Sequence, residues 1–211
     1  MVGNDKTRDE VIRRELRQLE SSWYDSNKIK LSRDRVDRLG YFTDVNVDTR
    51  EVPGVQDQVD LVVTVKEKPT GSLTVGAGYS SSEKLSFVFG ISQENVFGSG
   101  NYLGLNVNTS KYYREYSVST TNPYFTDSGI SRTYDIYYRT QHPYNYETDE
   151  DYYTYVTKGA SIKFGVPFTE RDTVFFGAGI ENVKVKDYTA NDTYIRLSLI
   201  HISEPTRPLY I

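Results

Sequence analysis

The chain has no cysteine, and only one methionine, one tryptophan and two histidines among its 211 residues. The missing cysteines exclude disulfides, thiolate metal sites and cysteine nucleophiles together, while saying little about compartment. His142 sits in a polar loop and His201 close to the chain end. No Ser/His/Asp set and no metal-ligand spacing is present, so no catalytic residue, metal or cofactor is assigned. Asp149-Glu150-Asp151 carries oxygen ligands of the kind calcium uses, but reads as a solvated loop. No apolar run approaches the roughly 20 residues of a spanning helix. That leaves spanning strands open, because their inner faces dilute the average hydrophobicity. A net charge of −4 argues against nucleic acid as a main partner. No leader is visible, since Met1-Val2 runs straight into Gly3-Asn4-Asp5.

What the chain has in quantity is aromatic residues, with Tyr 19 and Phe 9. Ordinary strand preference accounts for such a load, and so do aromatic girdles at the two interfaces of a membrane barrel. The stretch from Thr70 to Gly100 bears on the choice. Leu73, Val75, Ala77 and Tyr79 alternate with Thr74, Gly76, Gly78 and Ser80. After the polar break Ser81-Ser82-Glu83, Leu85, Phe87, Phe89 and Ile91 alternate with Ser86, Val88, Gly90 and Ser92. Period two puts successive side chains on opposite faces of a strand, here one apolar and one small and polar. Repeated segments of about 9–11 residues with turns between them are the pattern of a barrel standing in a membrane.

Ahead of this stretch, Thr7 to Glu20 reads as a helix with a Thr7/Glu10 capping box and Val11, Ile12, Leu16 and Leu19 near one face. Asp25-Ser26 opens a second helix carried by Ile29, Val36 and Leu39, with Gly40 placed as its C-terminal cap. Two strands follow, around Val45 and Val47 and from Val59 to Val65. With a trace of strand before Gly3, this predicts a small α+β domain whose opening strand is lost. Arg13, Arg14, Arg17, Arg33, Arg35 and Arg38 are interleaved with Glu10, Glu15, Asp34 and Asp37, and read as solvated helix faces.

Glu67-Lys68-Pro69 closes that domain. Beyond the first two strands come Asn95 to Asn101, a tight Gly/Asn turn whose spacing fits no nucleotide fingerprint, and strands around Leu105 and Val118. Asn122-Pro123-Tyr124-Phe125 then turns the chain, because proline cannot sit in a central strand. Strands around Ile136, Ile162 and Ala178 follow, and Tyr194 to Leu199 begins an eighth. The long acidic connection Gln141–Tyr153 falls on the far side from the α+β domain. The turns NVFGSGN, NPYF and VPFTERD fall on the near side. Long loops outside and short turns inside is the arrangement of outer-membrane barrels. A protein bound there needs a leader, so the expectation is that the N-terminus lies further upstream.

The stretch GNDKTRDEVIRREL, the helix ending DRVDRLGYF, the junction KEKPTGSL and the turns ENVFGSGN and NPYF resemble the BamA family of outer-membrane assembly proteins, in order and spacing, over about Val2 to Ile195. The resemblance implies an α+β POTRA-like domain over 1–68, in the periplasm. It is followed over 69–197 by an antiparallel transmembrane β-barrel segment of about seven to eight strands. The family's other POTRA domains, its remaining strands and the arginine motif of its sixth loop have no counterpart in the chain. Residues 198–211 break the strand pattern, resemble a translated sequencing-adapter remnant, and are set aside as a non-native tail.

The family acts without bond-making chemistry. The resemblance implies insertion of other outer-membrane proteins, with the first barrel strand as one lip of a seam to which a client strand adds by β-augmentation. Leu73, Thr74, Val75, Gly76, Ala77, Gly78 and Tyr79 would form that edge. Gly76 and Gly78 put no side chain on the inner face, which weakens the strand and loosens its register. The bland alternative is that these glycines relieve crowding, as Gly177-Ala178-Gly179 does elsewhere. Asn95, Phe97, Gly98, Gly100, Asn122, Pro123, Tyr124 and Phe125 would form periplasmic turns. The implied partners are unfolded outer-membrane proteins as clients, BamD-like periplasmic lipoproteins at the POTRA-like domain, and outer-membrane lipid. TamA-type and two-partner-secretion transporters of the same superfamily are the alternative reading. A plain porin would carry no POTRA-like domain. The isolated segment is expected to be inactive, because its unpaired edges would each be costly in lipid.

Overall fold

The structure is a computed structural model that describes residues 1–186 apart from 56, 82–83, 146–149, 152 and 171. The eighth strand, the tail with His201, and Asp149 of the acidic loop lie outside the described residues.

The N-terminal unit is built from helices α1 (Asp9–Arg13) and α2 (Ser26–Arg38) over strands β1 (Phe42–Glu51) and β2 (Val59–Glu67). The strands pair antiparallel, and Val2 makes one parallel bridge to Thr64, which is the trace of strand anticipated before Gly3. Val11, Ile12, Val36, Tyr41, Phe42, Val45, Val63 and Val65 form the core, with Leu16, Leu39 and Val47 packed against it. Asp25 caps α2 by accepting from the Asn27 and Lys28 amides. Gly40 follows the helix at φ +73°, the left-handed position that favours glycine.

The first helix is shorter than the periodicity suggests. It ends at Arg13, and Glu15 and Leu16 donate three residues back, to Ile12 and Arg13. The Ser32 hydroxyl then takes the Arg17 and Gln18 amides at 2.7 and 3.4 Å, which stops the ladder. Leu19 is consequently exposed rather than on a buried face. The capping box is also absent. Arg8 is the N-cap residue and makes no side-chain cap bond. The Thr7 amide donates to Glu67 at 2.6 Å, and its hydroxyl accepts from Asn95 at 2.8 Å.

The second unit is one antiparallel sheet of seven strands in the order β11-β10-β7-β6-β5-β4-β3. They are β3 (Gly71–Ser80), β4 (Lys84–Gln93), β5 (Tyr102–Thr109), β6 (Tyr113–Asn122), β7 (Ser131–Gln141), β10 (Thr154–Pro167) and β11 (Thr173–Lys186). A two-residue hairpin, β8 (Tyr144–Asn145) with β9 (Glu150–Asp151), stands within the long connection. The register carries one face across all seven strands. Leu73, Ile91, Leu105, Val118, Ile136, Ala160 and Ile180 lie side by side in a single row. On the opposite face the row one residue away reads Ser72, Ser92, Gly104, Ser119, Asp135, Ser161 and Gly179. Among the described residues no helical layer covers the apolar row: Leu73, Ile136 and Ile180 are 65%, 61% and 80% exposed. An apolar sheet face of this extent, bare of protein, has the sense of a membrane barrel wall.

Candidate functional site

Two features stand out, an open strand edge and a docking seam between the two units. The edge is β3. It pairs with β4 from Gly71↔Gln93 to Ser80↔Lys84 and is the outermost strand of the sheet, with no partner on its other side among the described residues. Leu73, Val75 and Tyr79 point outward and are exposed, while Thr74, Gly76 and Gly78 belong to the inner face. Alternate residues of an edge strand present unpaired N–H and C=O groups, a ready template for another strand. The two glycines differ from Gly159 and Gly165 on β10. A Cβ at Gly159 would run into the ring of Tyr137, and one at Gly165 into Phe175 and Ser131. At Gly76 only Val88 lies nearby, at an ordinary 3.8 Å, and Gly78 meets only the Ser86 hydroxyl at 3.1 Å. The inner face of β3 is therefore held by little packing at these two positions, whereas Gly159 and Gly165 are roofed by aromatic rings.

The seam is where the near-side turns meet the N-terminal unit. The β4–β5 turn adopts left-handed backbone at Asn95 (φ 57°), Phe97 (φ 49°), Gly98 (φ 73°) and Gly100 (φ 73°). Asn95 is buried and ties this turn together by accepting from the Gly100 amide at 2.7 Å while donating to Thr7. The Gly98 carbonyl accepts from the Arg8 amide at 3.0 Å, and the Gly100 carbonyl from the Tyr41 hydroxyl at 3.2 Å. Phe97 is 92% exposed and takes no part in the seam.

In the β6–β7 turn, Asn122 accepts from the Tyr124 amide at 3.0 Å. Tyr124 stacks under the Arg14 guanidinium, 4.3 Å from the ring centre, and accepts from Arg35 at 3.2 Å. Phe125 faces the other way, against Phe164. From the β10–β11 turn, Glu170 reaches Arg17 at 2.9 Å and Arg35 at still shorter range. Arg35 also pairs with the buried Glu15 at 2.8 Å.

The electrostatics follow from this packing. Burial by itself would lower the Arg35 pKa, but Glu15, Tyr124 and Glu170 raise it. The Arg17 hydrogen bond and the charges of Arg35 and Arg17 hold the Glu170 carboxyl below its ordinary range, against a smaller opposing effect of burial. Burial pushes the Tyr124 and Tyr41 hydroxyls up. Burial also acts to raise Glu67, but hydrogen bonds from Thr7 and the Lys6 amide outweigh it and leave the carboxyl depressed.

The seam corrects the reading of the helix arginines. Arg14, Arg17 and Arg35 are docking residues rather than a solvated face, and Arg33 is bound to the Val45 carbonyl at 3.0 Å. The interleaved acids that suggested solvation include Glu15, which is one of the ion-pair partners. The only usable signal in the sequence was that the near-side turns carry Tyr124 and Glu170, complementary to those arginines. His142 donates to or accepts from the Thr154 hydroxyl at 2.9 Å, in a structural contact. Among the described residues no three His, Cys, Asp or Glu side chains come together as a metal site.

Comparisons with known proteins match both parts of the chain. The POTRA domain model, described as a surface antigen variable number repeat, matches residues 1–68, and the Omp85 superfamily domain model matches residues 95–204. The outer membrane protein assembly factor BamA of Neisseria meningitidis serogroup B is 43% identical over 188 residues, which is 89% of this chain and 24% of that protein. BamA of Nitratidesulfovibrio vulgaris is 34% identical over 186 residues, 88% of this chain and 22% of the relative. The chain thus spans about a quarter of the length of these relatives. The crystal structure of BamA from Haemophilus ducreyi lacking POTRA domains 1–3 superposes with a TM-score of 0.75 at 33% identity, over 98% of this chain and 38% of that one. The α+β unit is accordingly POTRA-like, and the open antiparallel sheet is a partial barrel. Because the superfamily domain matches just over half of the residues, and the fold and order of units agree, the chain belongs to the Omp85 superfamily.

Proposed function

We propose that the chain is the membrane-proximal part of a BamA-type outer-membrane protein assembly factor, with its POTRA-like domain in the periplasm and its sheet in the outer membrane of a Gram-negative bacterium. The domain division we propose is 1–68, 69–197 and a non-native tail from 198. The protein works without catalytic residues or cofactor. Its clients are unfolded outer-membrane proteins, and BamD-like lipoproteins dock on the POTRA-like domain. Leu73 to Tyr79 template an incoming client strand, main-chain hydrogen bonds supplying affinity and the bare inner face at Gly76 and Gly78 allowing the edge to flex. Asn95, Phe97, Gly98, Gly100 and Asn122 to Phe125 form periplasmic turns.

The observation that carries this reading is β3 itself, a ten-residue outer strand whose apolar face is continuous with the exposed row of the sheet. The chain has no cysteine, so introduced ones report cleanly once any cysteine of the remaining chimera is replaced. In a chimera carrying residues 1–186 in place of the matching quarter of the N. meningitidis relative, single cysteines at Leu73 through Tyr79 are tested against cysteines on a stalled client's terminal strand. Disulfides with one register and a period of two are expected. Cross-links that ignore register, or that form equally well along an inner strand such as β6, would refute templating at this edge.

A further inference from the structure

We propose that the outer face carries a binding site for the phosphate of a glycerophospholipid at Arg132, an inference that rests on the membrane reading above. Arg132 lies on the apolar face, in the row Asn122, Arg132, Phe164 and Phe176. It stands four residues from Ile136 on the same strand, roughly 13 Å along it at about 3.3 Å per residue. The outward residues of β7 read Arg132, Tyr134, Ile136, Tyr138 and Thr140, so tyrosines flank the central isoleucine on both sides. The apolar band of such walls is about 25 Å tall and its strands tilt by about 35–45°, so Arg132 lies roughly 10 Å from the level of Ile136, just inside the near-side margin and within a side chain's reach of headgroups.

The side chain is built into the surface rather than loose on it. Its guanidinium lies 3.9 Å from the centre of the Phe125 ring and 4.9 Å from that of Tyr134. Its Nε is buried without a hydrogen-bond partner. No acidic side chain among the described residues pairs with it. Ring stacking engages the faces of a guanidinium and leaves its N–H groups, which lie in its plane, still seeking acceptors. With Nε closed off, the two terminal nitrogens meet phosphate oxygens in bidentate fashion, better than a lysine ammonium does. Phe176 in the same row and Ile136 toward the band centre, each 61% exposed, give the acyl chains an apolar surface beside the headgroup. A free inorganic phosphate shares the headgroup chemistry but has no use for this surface.

The test uses the chimera described above, in which the relative's strands complete the sheet, in detergent micelles; it counts bound lipid by native mass spectrometry, with circular dichroism confirming that each variant retains its strand content. Phosphatidylglycerol should be retained by the wild type, on the order of tenfold less by R132Q, and to an intermediate degree by R132K, which keeps the charge but loses the fork. Diacylglycerol should bind weakly to all three, and millimolar inorganic phosphate should not displace the lipid. Equal retention of phosphatidylglycerol by wild type and R132Q overturns the site while leaving the membrane face intact. Displacement by inorganic phosphate overturns the lipid assignment. If the wild type retains no lipid of either kind, the membrane reading itself fails. Should R132Q not fold, R132K carries the comparison, and lipid retention equal to wild type by that variant would show that planar recognition is wrong.

Discussion

Replacing Arg35 with alanine removes a guanidinium that is only 15% exposed and leaves the Glu15 carboxylate, 6% exposed, without its ion-pair partner. Breaking a buried pair from one side costs about 3–5 kcal/mol, because the remaining charge stays desolvated. The same change also frees Glu170, but that carboxylate is 47% exposed and its loss weighs far less. The comparison variant is therefore Glu170→Ala, which breaks two partly exposed pairs worth about 0–1 kcal/mol each. For a unit of this size each kcal/mol moves the unfolding midpoint by roughly 4–8 °C. At the lower conversion of about 4 °C per kcal/mol, Arg35→Ala should thus lower the midpoint of the POTRA-like unit by at least about 12 °C, and Glu170→Ala by at most about 8 °C. The double change Arg35→Met with Glu15→Leu should recover most of the loss, since it leaves no orphaned charge. Both α-helices of the described chain lie in this unit, so ellipticity at the helical minimum follows its melting in the full chain. Equal small shifts for Arg35→Ala and Glu170→Ala, or a double variant no better than the single, would refute the burial argument.

Gly98→Ala should undock the β4–β5 turn, because a Cβ there would occupy the position of the Lys6 carbonyl oxygen and the backbone sits at φ +73°. Hydrogen exchange at the Arg8 amide, which donates to Gly98, should accelerate by on the order of tenfold or more. Gly40→Ala has the same φ with nothing nearby and should cost about 1 kcal/mol without touching the seam. The Glu170 contact should also depend on pH. Its folded-state pKa is depressed, so its contribution is complete above the ordinary glutamate value of about 4.3 and is lost as pH falls through the lower folded value. The stability difference between wild type and Glu170→Ala, read from urea unfolding at a series of pH values, should be constant above that range and shrink below it, whereas a difference that grows in acid would contradict the sign.

The sense of the barrel wall was legible in the chain because period-two alternation is a local property. Leu73, Val75 and Tyr79 must share a face in any strand, and membership of one shared row with Ile91 and Ile136 needs only consistent turns between strands. Asp25 and Gly40 were legible as helix ends for the same reason, since capping is decided within a few residues. Only the tertiary structure settled the rest. The end of α1 depends on a hydroxyl fifteen residues away at Ser32, and the capping box lost Thr7 to Glu67 and Asn95. Arg35 and Glu170 are 135 residues apart, so no window of sequence could show that interleaved charges were ion-paired across a seam rather than solvated. Local periodicity therefore determined which way each strand faces, while long-range packing decided which charged and aromatic side chains meet. Contacts between distant residues depend on how the two units close on one another, and no short-range pattern encodes that.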